Sequence, residues 1–200
     1  SGGGSSHRQR CRRAWTHLIK PCTILSMVMH RDEALAFVDR AVDEAATRLD
    51  GIDRESMAMV LLLHRVTNVV VYDLESTVHR PAGWSWSAFR AMFTLWISGA
   101  MEPSRLAETS GMSRQAVSAL AKTLEADGLV ERRDAAADGR SVLLSLTTAG
   151  RTQLEQTFRR HNDREREWAA ALDSDERAIL VALLNKLASA AQRDWVNHRF

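Results

Sequence analysis

Apolar side chains recur at helical spacing through the first half of the chain. Over residues 32–49 they fall at every third or fourth position, the period of an amphipathic helix: Leu35, Val38, Val42, Ala45 and Leu49. Gly51 ends this helix, and Asp53 is a favourable N-cap for a second, mostly apolar helix that Pro81 stops. Because this second helix is apolar around most of its circumference, we expect it to cross the core or to lie in a subunit interface.

Shorter helices follow. Ser85 or Ser87 caps a third helix, whose apolar residues at i, i+3, i+4 and i+7 predict one buried face: Phe89, Met92, Phe93 and Trp96. Pro103 suits the first turn of a short helix that runs to Ser110. Towards the end of the chain, Thr148 caps a long helix with a charged run, and Asp173 or Ser174 begins a last helix with an apolar stripe.

The segment 106–124 has the spacing of a helix-turn-helix. Ala107 is small enough to let two helices approach, and Gly111, four residues later, accepts the left-handed backbone of a turn. Val117 can fill the space between the helices, and Ser113 is a favourable N-cap for the second one. The polar residues of this second helix share one face, opposite Val117, Leu120, Ala121 and Leu124: Arg114, Gln115, Ser118 and Lys122.

That polar face, with Ser113, is a candidate DNA-reading surface. Arginine can donate two hydrogen bonds to guanine and glutamine can pair with adenine, whereas Ser118 and Lys122 suit phosphates or less selective contacts. The alternative is an ordinary solvated face, because amphipathic helices are common.

A β-hairpin is predicted directly after this helix. Apolar runs at 129–130 and 142–146 flank Asp138-Gly139, a favourable turn dipeptide. A hairpin in this position is a wing, with Arg132 and Arg133 on its first strand and Arg140 at its tip, where a guanidinium can enter the minor groove. Asp138 would hold the basic residues in place; the alternative is a plain turn with a surface ion pair of little energetic value.

Composition and charge narrow the function classes. The chain has 200 residues, 45% of them hydrophobic, and no uninterrupted apolar run of membrane-spanning length, since His64, Arg65 and Asn68 break the greasiest segment. Two cysteines cannot make a disulfide scaffold, so we expect a cytoplasmic protein without a membrane partner. Six of the 27 basic residues and no acidic residue lie within 1–31, so any binding of nucleic acid by the body must use locally clustered charge.

No pattern for catalysis or for a cofactor is present. Nucleotide loops, zinc-protease helices, paired-cysteine metal sites and serine-hydrolase elbows do not occur, so we expect no enzyme, no metal and no cofactor. His64, His79 and His161 are interpreted as surface or packing histidines. An aromatic group near the end of the second helix, His79, Trp84, Trp86 and Trp96, is a candidate pocket for a small aromatic or acidic effector, with core packing as the alternative.

The stretch 86–154 resembles the winged helix-turn-helix of the MarR family of bacterial transcription regulators. The resemblance is carried by Leu106-Ala107, Ser113-Arg114, the run 124–132, Asp138-Gly139-Arg140 and the run 146–150. It implies a mainly helical fold with a small β wing and a homodimer, held by terminal helices, that binds double-stranded DNA at a pseudo-palindromic operator, more often as a repressor. The implied division is a basic tail (1–31), flexible or partly of cloning origin, N-terminal helices (32–82), a DNA-binding domain (83–147) and C-terminal dimerisation helices (148–200).

The sequence departs from this family at two points. Ala119 stands where many relatives carry a basic residue for DNA, a role that Lys122 could take over one turn later. The family's peroxide sensors carry a reactive cysteine near the first helix, whereas Cys11 and Cys22 lie in the tail, so redox sensing is not expected. The competing hypothesis is a winged-helix module for protein interaction or dimerisation without specific DNA recognition.

Overall fold

A computed structural model describes residues 31–134 and 142–190 as seven α-helices and a two-stranded sheet. In chain order the helices are α1 (Arg31–Arg48), α2 (Arg54–Leu74), α3 (Trp86–Ser98), α4 (Pro103–Ser110), α5 (Arg114–Ala126), α6 (Thr148–Ala169) and α7 (Ser174–Ala190). The strands β1 (Val130–Asp134) and β2 (Val142–Leu146) lie between α5 and α6. This mainly helical fold with a small β wing confirms the predicted fold class.

Side-chain caps fix most of the helix starts. Asp53 Oδ1 accepts a hydrogen bond from the Ser56 amide at 3.0 Å, and Ser85 Oγ accepts from the Ala88 amide at 3.1 Å, which decides between the two serines predicted for α3. The predicted cap of α6 is wrong by one residue, because the side chain of Thr147 accepts from the Gly150 amide and Thr148 is already helical.

The second helix does not end as a plain α-helix. After Leu74 it widens into a π-helical turn, Glu75–His79, and then tightens into a 3-10 turn, Arg80–Ala82. Pro81 has no amide hydrogen for a helical bond, which explains the change of winding. Asp73, one residue before α2 ends, accepts hydrogen bonds from Arg164 Nε at 2.7 Å, from Arg164 Nη2 at 2.8 Å and from Trp168 Nε1 at 2.8 Å. These bonds attach the end of α2 to α6.

The core of the second half of the chain surrounds the helix-turn-helix. Its most deeply buried apolar side chains come from α3, α4, α5, β2 and α6: Met92, Leu106, Val117, Leu144 and Leu154. Gly150 of α6 lies so close to β1 that a β-carbon built on it would stand 2.0 Å from the carbonyl oxygen of Leu129. The start of α6 therefore packs directly on the backbone that leads into the wing.

The wing is an antiparallel hairpin, as predicted. Val130 is paired with Leu146 and Asp134 with Val142 across its two strands. Met101, before α4, adds a short bridge to β2, with hydrogen bonds of 3.1 and 2.8 Å to the Leu144 backbone. The sequence pattern does not indicate this bridge.

Two helical regions expose large apolar side chains. On α7 the group is Ile179, Leu180, Val181, Leu183, Leu184 and Leu187, and on α2 it includes Met59, Val60, Leu62, Leu63, Val66, Val69 and Tyr72. The helical run Arg54–Ala82 is long and apolar enough to cross a membrane, with a mean hydropathy of 1.4 in its best window, so the broken pattern at 64–68 does not exclude a span by itself. One such helix is weak evidence for a membrane, because dimer interfaces are also strongly apolar.

Candidate nucleic-acid interface and ligand cleft

The helix α5 is held by a tight turn from α4. Gly111 ends α4 with φ = 64°, a left-handed conformation that a residue with a β-carbon adopts only with strain. Ser113 then caps α5, its Oγ accepting a hydrogen bond from the Ala116 amide at 3.1 Å. Val117, Ala121 and Leu124 are buried against the core, which confirms the predicted apolar side of α5 and fixes the opposite side outwards.

The predicted polar face of α5 is exposed. Gln115, Ser118 and Lys122 make no hydrogen bond or ion pair with any residue that the structure describes. Arg114 lies 4.0 Å from Glu108, and since both side chains are largely exposed this pair is weak. Ser113 uses its oxygen as the cap, so its hydroxyl hydrogen can still be donated to a phosphate. All five side chains can meet a ligand at no cost in broken contacts beyond that weak pair.

The two arginines of the wing strand are arranged differently. Arg132 and Arg133 are consecutive in β1, so they point to opposite faces of the hairpin. Arg132 Nε donates to Glu125 of α5 at 2.6 Å, and Arg133 pairs with Glu131 of its own strand. They therefore do not form one basic patch. Asp138 and Arg140, the predicted tip of the wing, lie outside the described residues.

A buried chain of hydrogen bonds joins the π-helical turn to α6. His79 is fully buried, and its Nε2 lies 3.0 Å from Nδ1 of His161, whose Nε2 lies 3.0 Å from Glu165 Oε1. The carboxylate must accept from His161 Nε2, so His161 Nδ1 accepts from His79 Nε2 and His79 Nδ1 carries a lone pair. That last nitrogen has no partner among the described residues.

Burial keeps both imidazoles neutral near pH 7. It lowers the pKa of His79 to about 4, with a smaller contribution from the neighbouring His161. Burial also lowers the pKa of His161, against the opposing effect of Glu165. The rings stack with Phe89, 4.3 Å from the centroid of His79 and 4.6 Å from that of His161. Both histidines are packing residues, as interpreted from the sequence.

An open cleft of about 500 Å³ lies beside this aromatic group. Its walls come from α3, the end of α4 and α6, and most are aromatic: Trp86, Phe89, Phe93, Phe158 and His161. Polar groups are few and include Arg90, Thr94, Thr109, Ser110 and Glu165. Apolar walls with a few polar groups are typical of sites for small organic ligands.

The cleft differs in composition from the effector pocket predicted from the sequence. Trp86 lines it, whereas His79 and Trp84 are buried in the core and Trp96 donates to Glu155 Oε1 at 3.2 Å. Arg90, Phe158 and Glu165 were missed. The spacing of aromatic residues on α3 showed a buried face, but no pattern in the sequence indicated which part of α6 would pack beside it.

The fold and the exposed α5 face define a winged helix-turn-helix transcription regulator. A family model described as "MarR family" matches residues 84–142. The HTH-type transcriptional regulator YwaE of Bacillus subtilis is 30% identical over 140 residues, which are 70% of this chain and 82% of that protein. The chain therefore belongs to the MarR family.

Further relatives agree with this assignment. The HTH-type transcriptional repressor YetL of Bacillus subtilis is 25% identical over 73% of this chain and 88% of that protein. The crystal structure of a cysteine-to-serine mutant of MarR from E. coli, complexed with operator DNA, has a TM-score of 0.61 and 25% identity, and covers 69% of this chain and 99% of that one. The predicted homodimer is consistent with the family.

Proposed function

We propose that α5 enters the major groove of an operator and reads its sequence. The observation that carries this proposal is the division of α5 into a buried apolar side and an exposed polar side without internal partners. Arg114 and Gln115, in the first turn, are assigned to base edges, and Ser113, Ser118 and Lys122 to phosphates or less selective contacts. The similar E. coli protein bound to operator DNA supports the geometry.

The regulator acts as a homodimer on a pseudo-palindromic operator in this proposal. Half-sites then lie about 34–36 Å apart, one turn of DNA. The exposed apolar residues of α7 support a subunit interface in the segment 148–200, with 83–147 as the DNA-binding domain and 32–82 as N-terminal helices. Its role is that of a cytoplasmic repressor without enzymatic activity; the similarity to YetL supports repression.

Single substitutions test the assignment of α5. Arg114→Ala and Gln115→Ala are expected to relax base preference at one operator position each, by about 1–3 kcal/mol. Lys122→Ala is expected to weaken binding to all sequences alike and to lower the slope of log K against log salt by about 0.9. Arg159→Ala, an exposed arginine on α6, is the control and leaves both unchanged. Unaltered base preference in the α5 variants would contradict the assignment.

The wing arginines favour a second candidate function. Because Arg132 and Arg133 point to opposite faces and each pairs with a glutamate, they add no continuous basic surface beside α5. A winged-helix module that binds protein needs no such surface. Binding of the purified protein to random and to selected DNA fragments with equal affinity would support this candidate.

The aromatic cleft is the proposed site of a small aromatic carboxylate that acts as effector. Its rings offer stacking surfaces, and Arg90 makes no ion pair within the described residues, so its guanidinium can bind a carboxylate with two hydrogen bonds. Titration calorimetry with benzoate and with its neutral analogue benzamide tests the site. Benzoate is expected to bind more tightly by at least about tenfold.

A further inference from the structure

Arg90 lies between the proposed ligand cleft and the turn of the helix-turn-helix. It belongs to α3 and lines the cleft. A β-carbon built on Gly111 would stand 3.0 Å from Arg90 Nη2, so the guanidinium rests against the backbone of that turn. Thr109 and Ser110, the last two residues of α4, line the same cleft. One side chain thus touches both the ligand space and the residue that sets the start of α5.

The charge of Arg90 suits this position. The last turn of α4 contains no basic residue, and the C-terminus of a helix carries a partial negative charge that a nearby cation stabilises. Arg90 supplies that cation from α3. Glu165 is the only carboxylate among the described residues that line the cleft, and it already accepts hydrogen bonds from His161 Nε2 at 3.0 Å and from Asn162 Nδ2 at 2.9 Å.

We propose that Arg90 couples occupation of the cleft to the position of α5. A carboxylate bound in the cleft accepts hydrogen bonds from the guanidinium and draws it away from Gly111, so the C-terminus of α4 loses its cation. The turn then relaxes, and Arg114 and Gln115 shift with the start of α5. This inference rests on the proposed ligand cleft and on the proposed DNA reading, and adds the residue that connects them.

The coupling is measured as a ratio of two operator affinities. Fluorescence anisotropy gives the Kd of the full-length protein for an operator fragment selected from genomic DNA, without benzoate and at saturating benzoate, with saturation established by calorimetry for each variant. Wild-type protein is expected to lose operator affinity by about tenfold at saturation, within the usual range of allosteric coupling. Benzamide at the same concentration is expected to cause no such loss.

Two variants of Arg90 separate coupling from ligand binding. Arg90→Met keeps the aliphatic stem and removes the charge, so it needs more benzoate for saturation, and its affinity ratio at saturation is expected to fall to about one. Arg90→Lys keeps the charge without the planar guanidinium, and we expect a ratio between those of the wild type and Arg90→Met. Arg159→Met is the control and keeps the tenfold ratio.

Each contrary result removes a defined part of the account. A tenfold ratio in saturated Arg90→Met overturns the coupling role and leaves the cleft intact. Benzoate binding to wild type without a change in operator affinity also overturns the coupling. Equal binding of benzoate and benzamide, or no binding of either, overturns the carboxylate site and the coupling together. Wild-type protein that shows no sequence preference without any ligand overturns the DNA-reading proposal, and the coupling with it.

Discussion

Acid is expected to destabilise the fold through His79. This residue is fully buried between α6 and the aromatic rings of α3, and burial lowers its pKa from an ordinary value of 6.5 to about 4. Protonation at Nδ1 would put a charge and an N–H donor where the described residues offer no acceptor. The folded state therefore binds fewer protons than the unfolded state below pH 6.5, so stability is lost as the pH falls from 6.5 towards 4.

The size of the effect follows from the shift in pKa. A change of 2.5 units corresponds to a limit of about 3 kcal/mol well below pH 4, at about 1.4 kcal/mol per unit. Between pH 7 and pH 5 the same linkage amounts to about 2 kcal/mol. Asp73, the carboxyl group whose pKa is lowered by Arg164, loses its contribution only below its ordinary value of 3.8, so this window isolates the histidines.

Urea unfolding followed by circular dichroism at pH 7, 6 and 5 measures the effect. His79→Gln places an amide donor near the former Nε2 and cannot titrate in this range, so its loss of stability between pH 7 and pH 5 is expected to be smaller by about 2 kcal/mol. Val78→Ala, a buried neighbour in the same π-helical turn, lowers stability but keeps the wild-type dependence on pH. Equal pH dependence in wild type and His79→Gln would refute the reasoning.

Two further substitutions test the packing around the helix-turn-helix. Gly150→Ala is expected to lower the free energy of unfolding by more than about 2 kcal/mol, because its β-carbon would meet the Leu129 carbonyl, and a loss under about 0.5 kcal/mol in thermal or urea unfolding would contradict that packing. Asp73→Asn is expected to cost about 1–2 kcal/mol, since it removes the charge that Arg164 binds with two hydrogen bonds. Asp163→Asn, in an exposed ion pair on α6, changes stability by less than about 0.5 kcal/mol in the same assay, and equal effects of these two substitutions would show that the Asp73 contact is not special.

Local patterns were sufficient to predict most of the fold. The capping serines, Pro103 and Gly111 are local signals, because each acts on backbone groups within four residues along the chain. The π-helical turn before Pro81 was not predicted, since it depends on how α2 is attached to α6 through Asp73. The bridge between Met101 and Leu144 joins residues 43 positions apart, and no periodicity predicts such a pairing.

The candidate DNA surface could be predicted better than the ligand cleft. All the assigned residues of α5 lie on one helix, so the helical period alone placed Arg114, Gln115, Ser118 and Lys122 together. The cleft combines side chains from three helices, and its composition depends on tertiary packing. Trp86 was identified because it stands out as an aromatic residue, whereas Arg90 gave no signal, since an arginine on a helix is commonly a solvated residue.

Selection of bound fragments from genomic DNA by the wild-type protein tests the central claim most directly. The account predicts an enriched pseudo-palindromic motif whose two half-sites are separated by about one helical turn, roughly 10–10.5 base pairs from centre to centre. Repetition with Arg114→Ala is expected to lose preference at one symmetry-related position in each half-site. Recovery of fragments without a shared motif, at affinities equal to those of random DNA, would contradict the claim that α5 reads sequence.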